Sequence, residues 1–104
     1  MNTLDQLAQT IQERAKASAE SSYTRSLLGR GALHCARKFG EEAIEFIIAA
    51  TAQDDAAVRS EAADVLYHLL VALAARGVAL DEVMVELQLR SARSGHAEKA
   101  SRPA

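Results

Sequence analysis

Residues 32–52 read ALHCARKFGEEAIEFIIAATA, and residues 56–76 read AAVRSEAADVLYHLLVALAAR. Neither stretch holds a proline or a sustained apolar–polar alternation, so both read as helices. At 100° per residue, Lys38, Glu41, Glu42 and Glu45 fall within a sector of about 100°. Phe39, Ala43, Phe46, Ile47 and Ala50 occupy the opposite side, which makes the first helix sharply two-faced. On the second, Glu61, Asp64 and His68 share a sector with Ala57, Val71, Ala72 and Ala75, while Leu66, Leu69, Leu70 and Leu73 form another apolar side. The polar Gln53-Asp54-Asp55 turn separates the two, with Asp55 as the expected N-cap, and Gly77 ends the pair.

Outward from this hairpin the helical pattern continues. Leu4, Leu7, Ala8, Ile11 and Ala15 recur at helical spacing and predict a helix over residues 3–19. Ser21, Ser22 and Thr24, with Gly29 and Gly31, read as a loop. A last helix is expected over residues 80–91, with Asp81 and Glu82 in its first turn and Arg90 in its last, as the helix dipole prefers. Ser94-Gly95 is a further break, and the polar end of the chain is expected to be extended or partly helical. The expectation is an all-α bundle of four to five helices forming a single domain over residues 1–104, with a helical core over 3–91 and a basic tail over 92–104.

With 104 residues, 49% hydrophobic and 25% charged, the chain falls in the class of one globular domain rather than a disordered segment. A chain this short buries only about 60–70% of its unfolded surface, so long apolar helix faces call for a partner, and a homodimer is expected. The single cysteine, Cys35, excludes an intramolecular disulfide. No signal-peptide pattern is present at the start, and a cytoplasmic location is expected. The longest uncharged apolar run, residues 65–75, is far short of the roughly 20 residues that span a bilayer, so no membrane segment is expected.

A formal charge of −2 argues against nucleic acid as a partner, yet the charges are unevenly spread. Between residues 41 and 64 seven acids face Arg59 alone; between 90 and 102, Arg90, Arg93, Lys99 and Arg102 face Glu98 alone. An acidic middle and a basic tail suit a cation and a polyphosphate held side by side.

Glu42 with Glu45, and Glu61 with Asp64, are i, i+3 pairs whose Cβ atoms lie about 5–6 Å apart. In a hairpin with the usual interaxial distance of about 8–10 Å, four carboxylates converge on one small volume. Unpaired carboxylates beside an apolar stripe need a positive counterpart, and all-oxygen donors suit Mg²⁺, with Mn²⁺ as a possible substitute. One E-x-x-E alone would read as a solvated helix face; its pairing with E-x-x-D on the next helix favours metal. A ferritin-like di-iron site would require Glu-x-x-His pairs, and the chain has none. His68 can orient a ligand or be a buried, hydrogen-bonded histidine. Cys35 reads as a small buried residue rather than a nucleophile.

The segments Arg37-Lys38-Phe39-Gly40-Glu41-Glu42-Ala43-Ile44-Glu45 and Glu61-Ala62-Ala63-Asp64-Val65-Leu66-Tyr67-His68-Leu69-Leu70 closely resemble the phosphoribosyl-ATP pyrophosphatase family of histidine biosynthesis. That family is a branch of the all-α nucleoside-triphosphate pyrophosphatase superfamily. Ser22-Tyr23-Thr24, together with Arg90, Ser94-Gly95, Glu98-Lys99 and Arg102, narrows the resemblance to that branch and extends it over nearly the whole chain. Arg37 stands where many members carry lysine. No domain for the next pathway step is attached, so the stand-alone form is expected.

The resemblance implies Mg²⁺-dependent hydrolysis of phosphoribosyl-ATP to phosphoribosyl-AMP and pyrophosphate. It implies Glu42, Glu45, Glu61 and Asp64 as metal ligands; Glu41 or Glu45 is the candidate to deprotonate water, and Glu41 is otherwise open between binding a second ion, orienting a water and facing solvent. Lys38 shares the acidic sector and either neutralises it or reaches a phosphate; Tyr23, His68, Arg90, Arg93, Lys99 and Arg102 are the remaining substrate contacts expected. Two alternatives stand beside this reading: a housecleaning pyrophosphatase for ordinary or damaged nucleoside triphosphates, and a non-catalytic helical dimerisation module.

Overall fold

The computed structural model describes residues 2–15 and 23–92. Five helices follow one another: α1 (Thr3–Arg14), α2 (Tyr23–Gly29), α3 (Ala32–Ala52), α4 (Asp55–Ala75) and α5 (Leu80–Ser91). The all-α expectation is borne out, and among the described residues no strand occurs.

Local chemistry sets most of the boundaries. Asn2 caps α1 by accepting from the Asp5 N–H at 2.8 Å, with the Asp5 carboxylate turned back toward the Asn2 N–H, a reciprocal capping box. α1 ends at Arg14 with Ala15 as its C-cap, earlier than the expected residue 19; residues 16–22 lie outside the described residues. α4 is capped by Asp54, whose Oδ1 accepts from the Ala57 N–H at 2.9 Å, so the cap is one residue before the expected Asp55. After α4 the chain reverses at Gly77 (φ 72°). There the Val78 N–H reaches back to the Leu73 carbonyl at 2.9 Å, and the Gly77 N–H to that of Ala74 at 3.0 Å. This left-handed closure suits glycine because it lacks the Cβ clash. α5 then leaves α4 at 110°.

The segment read as a loop is the main correction. Tyr23–Gly29 is a two-turn helix that buries Thr24 and Leu27. Burying Leu27 stabilises the fold by about 1.5–3 kcal/mol, enough to override a weak serine, threonine and glycine preference for turns.

α3 and α4 form the principal antiparallel pair, and α1 and α2 pack onto it chiefly through α4. The core gathers Ile11 from α1, Leu27 from α2, Cys35 from α3, Leu70 and Val71 from α4, and Leu80 from α5. Cys35 is 1% exposed and donates its S–H to the Leu27 carbonyl at 3.2 Å, and burial pushes its thiol pKa up. A buried, protonated thiol of this kind is structural. Among the described residues no single helix is long and apolar enough to cross a membrane.

Candidate active site

The α3–α4 hairpin carries the acidic stripe inward. One carboxylate oxygen each from Glu42 and Glu45 on α3 and from Glu61 on α4 lie within 4.8 Å of one another. Three full negative charges at that separation repel strongly, and removing them from water adds to the penalty. Accordingly, burial pushes the Glu42 carboxyl pKa up, reinforced by the hydrogen bond and charge of Glu45, while His68 pulls it back. Glu61 is likewise pushed up, first by burial and then by the charges of Glu45 and Asp64. The Glu61 Oε2 atom is buried and has no hydrogen-bond partner among the described residues. A buried, orphaned oxygen beside two more carboxylates fits a hard divalent cation, which would supply the missing partner.

The remaining predicted residues lie outside the three-oxygen group. Asp64 is exposed and lies outside the three-oxygen group, yet close enough for its charge to act on both Glu42 and Glu61. Glu41 points away from the group: its carboxylate pairs with the Lys38 ammonium at 3.4 Å, and this contact raises the lysine pKa. Arg90 is paired with Glu86 along α5 at 3.1 Å. Arg93, Lys99 and Arg102, and with them the tail, lie outside the described residues.

His68 stands against the cluster from α4. It is 6% exposed, and its Nδ1 lies 3.0 Å from the Asp64 carbonyl oxygen. That contact makes Nδ1 the donor to the carbonyl, and Nε2 is buried without a hydrogen-bond partner among the described residues. Tyr67 meets the His68 ring edge-on at 5.0 Å, and Tyr23 from α2 stacks on Tyr67 at 6.4 Å. The Tyr67 hydroxyl is hydrogen-bonded to Thr24 Oγ1, which ties α2 to α4 across 43 residues of sequence. Tyr23 itself is 60% exposed, so one face of this aromatic group is open.

Sequence reasoning missed two neighbours of the site, Arg30 and His34. With Tyr23, Ser26, Leu27 and Lys38 they line a groove of about 240 Å³ at the start of α3. The signal available was the spacing of His34 and Lys38, an interval of four that aligns side chains along one helical face, with Arg30 just before the helix.

Fold and site together define a class, an all-α protein whose central hairpin gathers carboxylates from both arms beside a basic groove. The chain belongs to the phosphoribosyl-ATP pyrophosphohydrolase family, whose model matches residues 4–91. It is 58% identical over 102 residues to the phosphoribosyl-ATP pyrophosphatase of Cereibacter sphaeroides, covering 98% of this chain and 99% of that one. The corresponding protein of Ruegeria pomeroyi is 57% identical over 103 residues, covering 99% and 98%. Phosphoribosyl-ATP pyrophosphatase 1 of Bradyrhizobium diazoefficiens is 56% identical over 100 residues, covering 96% and 94%. The family resemblance read from the motifs is borne out.

Proposed function

We propose that the chain hydrolyses phosphoribosyl-ATP to phosphoribosyl-AMP and pyrophosphate, the histidine-biosynthesis step named by its relatives. The observation that carries this reading is the convergence of Glu42, Glu45 and Glu61 within 4.8 Å in a chain matched almost end to end by phosphoribosyl-ATP pyrophosphatases.

Glu42, Glu45 and Glu61, with Asp64 at their edge, would hold Mg²⁺, or Mn²⁺ in its place. When bound, the cation supplies positive charge against the polyphosphate oxygens and relieves repulsion among the carboxylates. The protein's own groups do the rest. Glu45 is exposed and its charge or hydrogen bond acts on both Glu42 and Glu61, so it is the carboxylate we assign to drawing the proton from the attacking water. Glu41, held by Lys38, supports it by keeping the ammonium at the rim of the acidic face. Tyr23 offers an open ring for the adenine, and His68 Nε2 a buried polar atom without a partner among the described residues. Arg90, Arg93, Lys99 and Arg102 would bind phosphate oxygens through charge-assisted hydrogen bonds.

The protein is further proposed to act as a cytoplasmic homodimer. Ile44, Ile47 and Ile48 on α3 are 49–60% exposed, and they share one face of the helix. The Cα radius of gyration is 15.7 Å, against about 13 Å for a compact domain of about 100 residues. A second copy covering this face accounts for both. Light scattering at micromolar concentration should give twice the subunit mass, and Ile47→Asp should give a monomer; a monomeric, active parent would remove the dimer.

The function is tested by pyrophosphate release under Mg²⁺ from phosphoribosyl-ATP, ATP, dCTP and dUTP. Turnover of phosphoribosyl-ATP should exceed the others by orders of magnitude. Preference for dCTP or dUTP would instead identify a housecleaning enzyme, and no release from any of the four a binding module.

A further inference from the structure

In the basic groove at the start of α3, Arg30 and His34 have no role in the chemistry above, and the position of the groove limits what it can hold. Arg30 and His34 make no ion pair or side-chain hydrogen bond among the described residues, and none of the six residues that line the groove is acidic. Lys38, at its near end, is the one member already engaged by a carboxylate, Glu41. The groove joins the acidic site through two shared members: Lys38 lies one helical turn before Glu42, and the Tyr23 ring packs at 6.5 Å from that of His68.

Along α3, His34 precedes Glu42 by two turns, about 12 Å at 1.5 Å per residue, and Arg30 sits in the turn just before that helix, ahead of its Gly31 N-cap. An anion held by Arg30 and His34 is therefore not the phosphate that meets the carboxylates. It belongs to the other end of the same ligand, across the exposed Tyr23 ring. A nucleotide that fits both regions carries phosphate at each end of an aromatic base.

We infer that the groove receives the ribosyl 5′-phosphate monoester of phosphoribosyl-ATP, with Arg30 and His34 as the residues that distinguish this substrate from ATP. The inference rests on the functional reading given above. Arg30 offers a planar fork that matches a phosphate monoester, and His34 and Lys38, one turn apart on α3, add further donors. Ordinary nucleoside triphosphates, having no second phosphate, leave the groove unused.

The test compares the full-length parent with Arg30→Gln and His34→Gln by calorimetric titration, in Mg²⁺ buffer, of phosphoribosyl-AMP and of AMP. AMP lacks only the phosphoribosyl group, so the difference between the two ligands isolates the groove. Arg30→Gln should weaken phosphoribosyl-AMP by about 10-fold or more, the loss of a charged hydrogen-bonding partner, and leave AMP binding unchanged. His34→Gln should show the same pattern with a smaller loss. In kinetics both should raise KM for phosphoribosyl-ATP with little change in kcat. Arg30 is exposed, and circular dichroism should show full helicity in both variants. Equal weakening of AMP and phosphoribosyl-AMP would overturn the assignment by placing the nucleotide's own phosphate in the groove, and unchanged binding of both would overturn it outright. A parent that turns over phosphoribosyl-ATP normally beside an unaffected Arg30→Gln removes the groove alone; a parent that never turns it over removes the functional reading and the groove with it.

Discussion

α3 and α4 are both 21 residues long and pack against each other, yet they are built for different tasks. α4 buries His68, Leu70 and Val71 and is the helix on which α1, α2 and α3 all converge. α3 buries only Cys35 and Ala49. It carries two of the three clustered carboxylates, together with Lys38 and His34, and it leaves three isoleucines 49–60% exposed. The difference teaches that the core packing is concentrated on α4, whereas α3 is held on one side by α4 and carries most of the clustered carboxylates and the exposed isoleucines on its other surfaces.

The sharpest way to break that division is to truncate each helix where its task lies. Leu70→Ala on α4 removes a buried side chain from the core and should destabilise the protein by about 2–5 kcal/mol, read from urea unfolding. Glu42→Gln on α3 should leave the fold intact and lower kcat by at least about 10²-fold, equivalent to about 2.7 kcal/mol of transition-state stabilisation. Without metal its melting temperature should equal or exceed that of the parent, because a repelling charge is gone. A Glu42→Gln protein that melts lower in EDTA, with normal kcat, would show that the carboxylate serves the fold.

A smaller effect concerns pH. The Glu42 and Glu61 pKa values are raised in the folded protein, so between the ordinary carboxylate value of about 4.5 and the raised one the native state binds more protons than the unfolded state. Stability of the metal-free protein should therefore fall as pH rises through that window and be greatest below it. Saturating Mg²⁺ should reverse the trend, since the cation binds the deprotonated cluster. Melting curves from pH 5 to 8 with EDTA or Mg²⁺ would reveal the opposite slopes; parallel curves would contradict them. The smallest effect is expected at Gly40 in the middle of α3, where, beyond the chain next to it, no described atom lies within 4 Å of an added Cβ. Gly40→Ala should stabilise the fold by about 0.5–1 kcal/mol in thermal unfolding.

The parts of this picture legible in the sequence are those set by local chemistry. α3 and α5 begin and end where expected because residues beside them, such as Gly31 and Gln53, interrupt the helical pattern. The convergence of Glu42, Glu45 and Glu61 follows from i, i+3 spacing and a short turn. α2 was hidden because its serine, threonine and glycine content favours turns, while its helicity depends on Leu27 entering a core assembled from distant segments. Asp54 and Asp55 are equally able to cap, and only the path of the turn selects Asp54. The different directions of Glu41 and Glu42 depend on which side chain α4 meets. The Tyr23–Tyr67–His68 group joins α2 to α4 through a contact no periodicity encodes.

The central claim is that the carboxylates of the α3–α4 hairpin form one cation site. Electron paramagnetic resonance of Mn²⁺ titrated into the parent and into Glu61→Gln tests it without depending on turnover. Loss of free-ion signal should saturate in the parent, Mg²⁺ should compete the Mn²⁺ off, and Glu61→Gln should weaken binding by about 10-fold or more. Mn²⁺ affinity unchanged by Glu61→Gln would contradict the account, because the buried oxygen of Glu61 would then have no cation to serve.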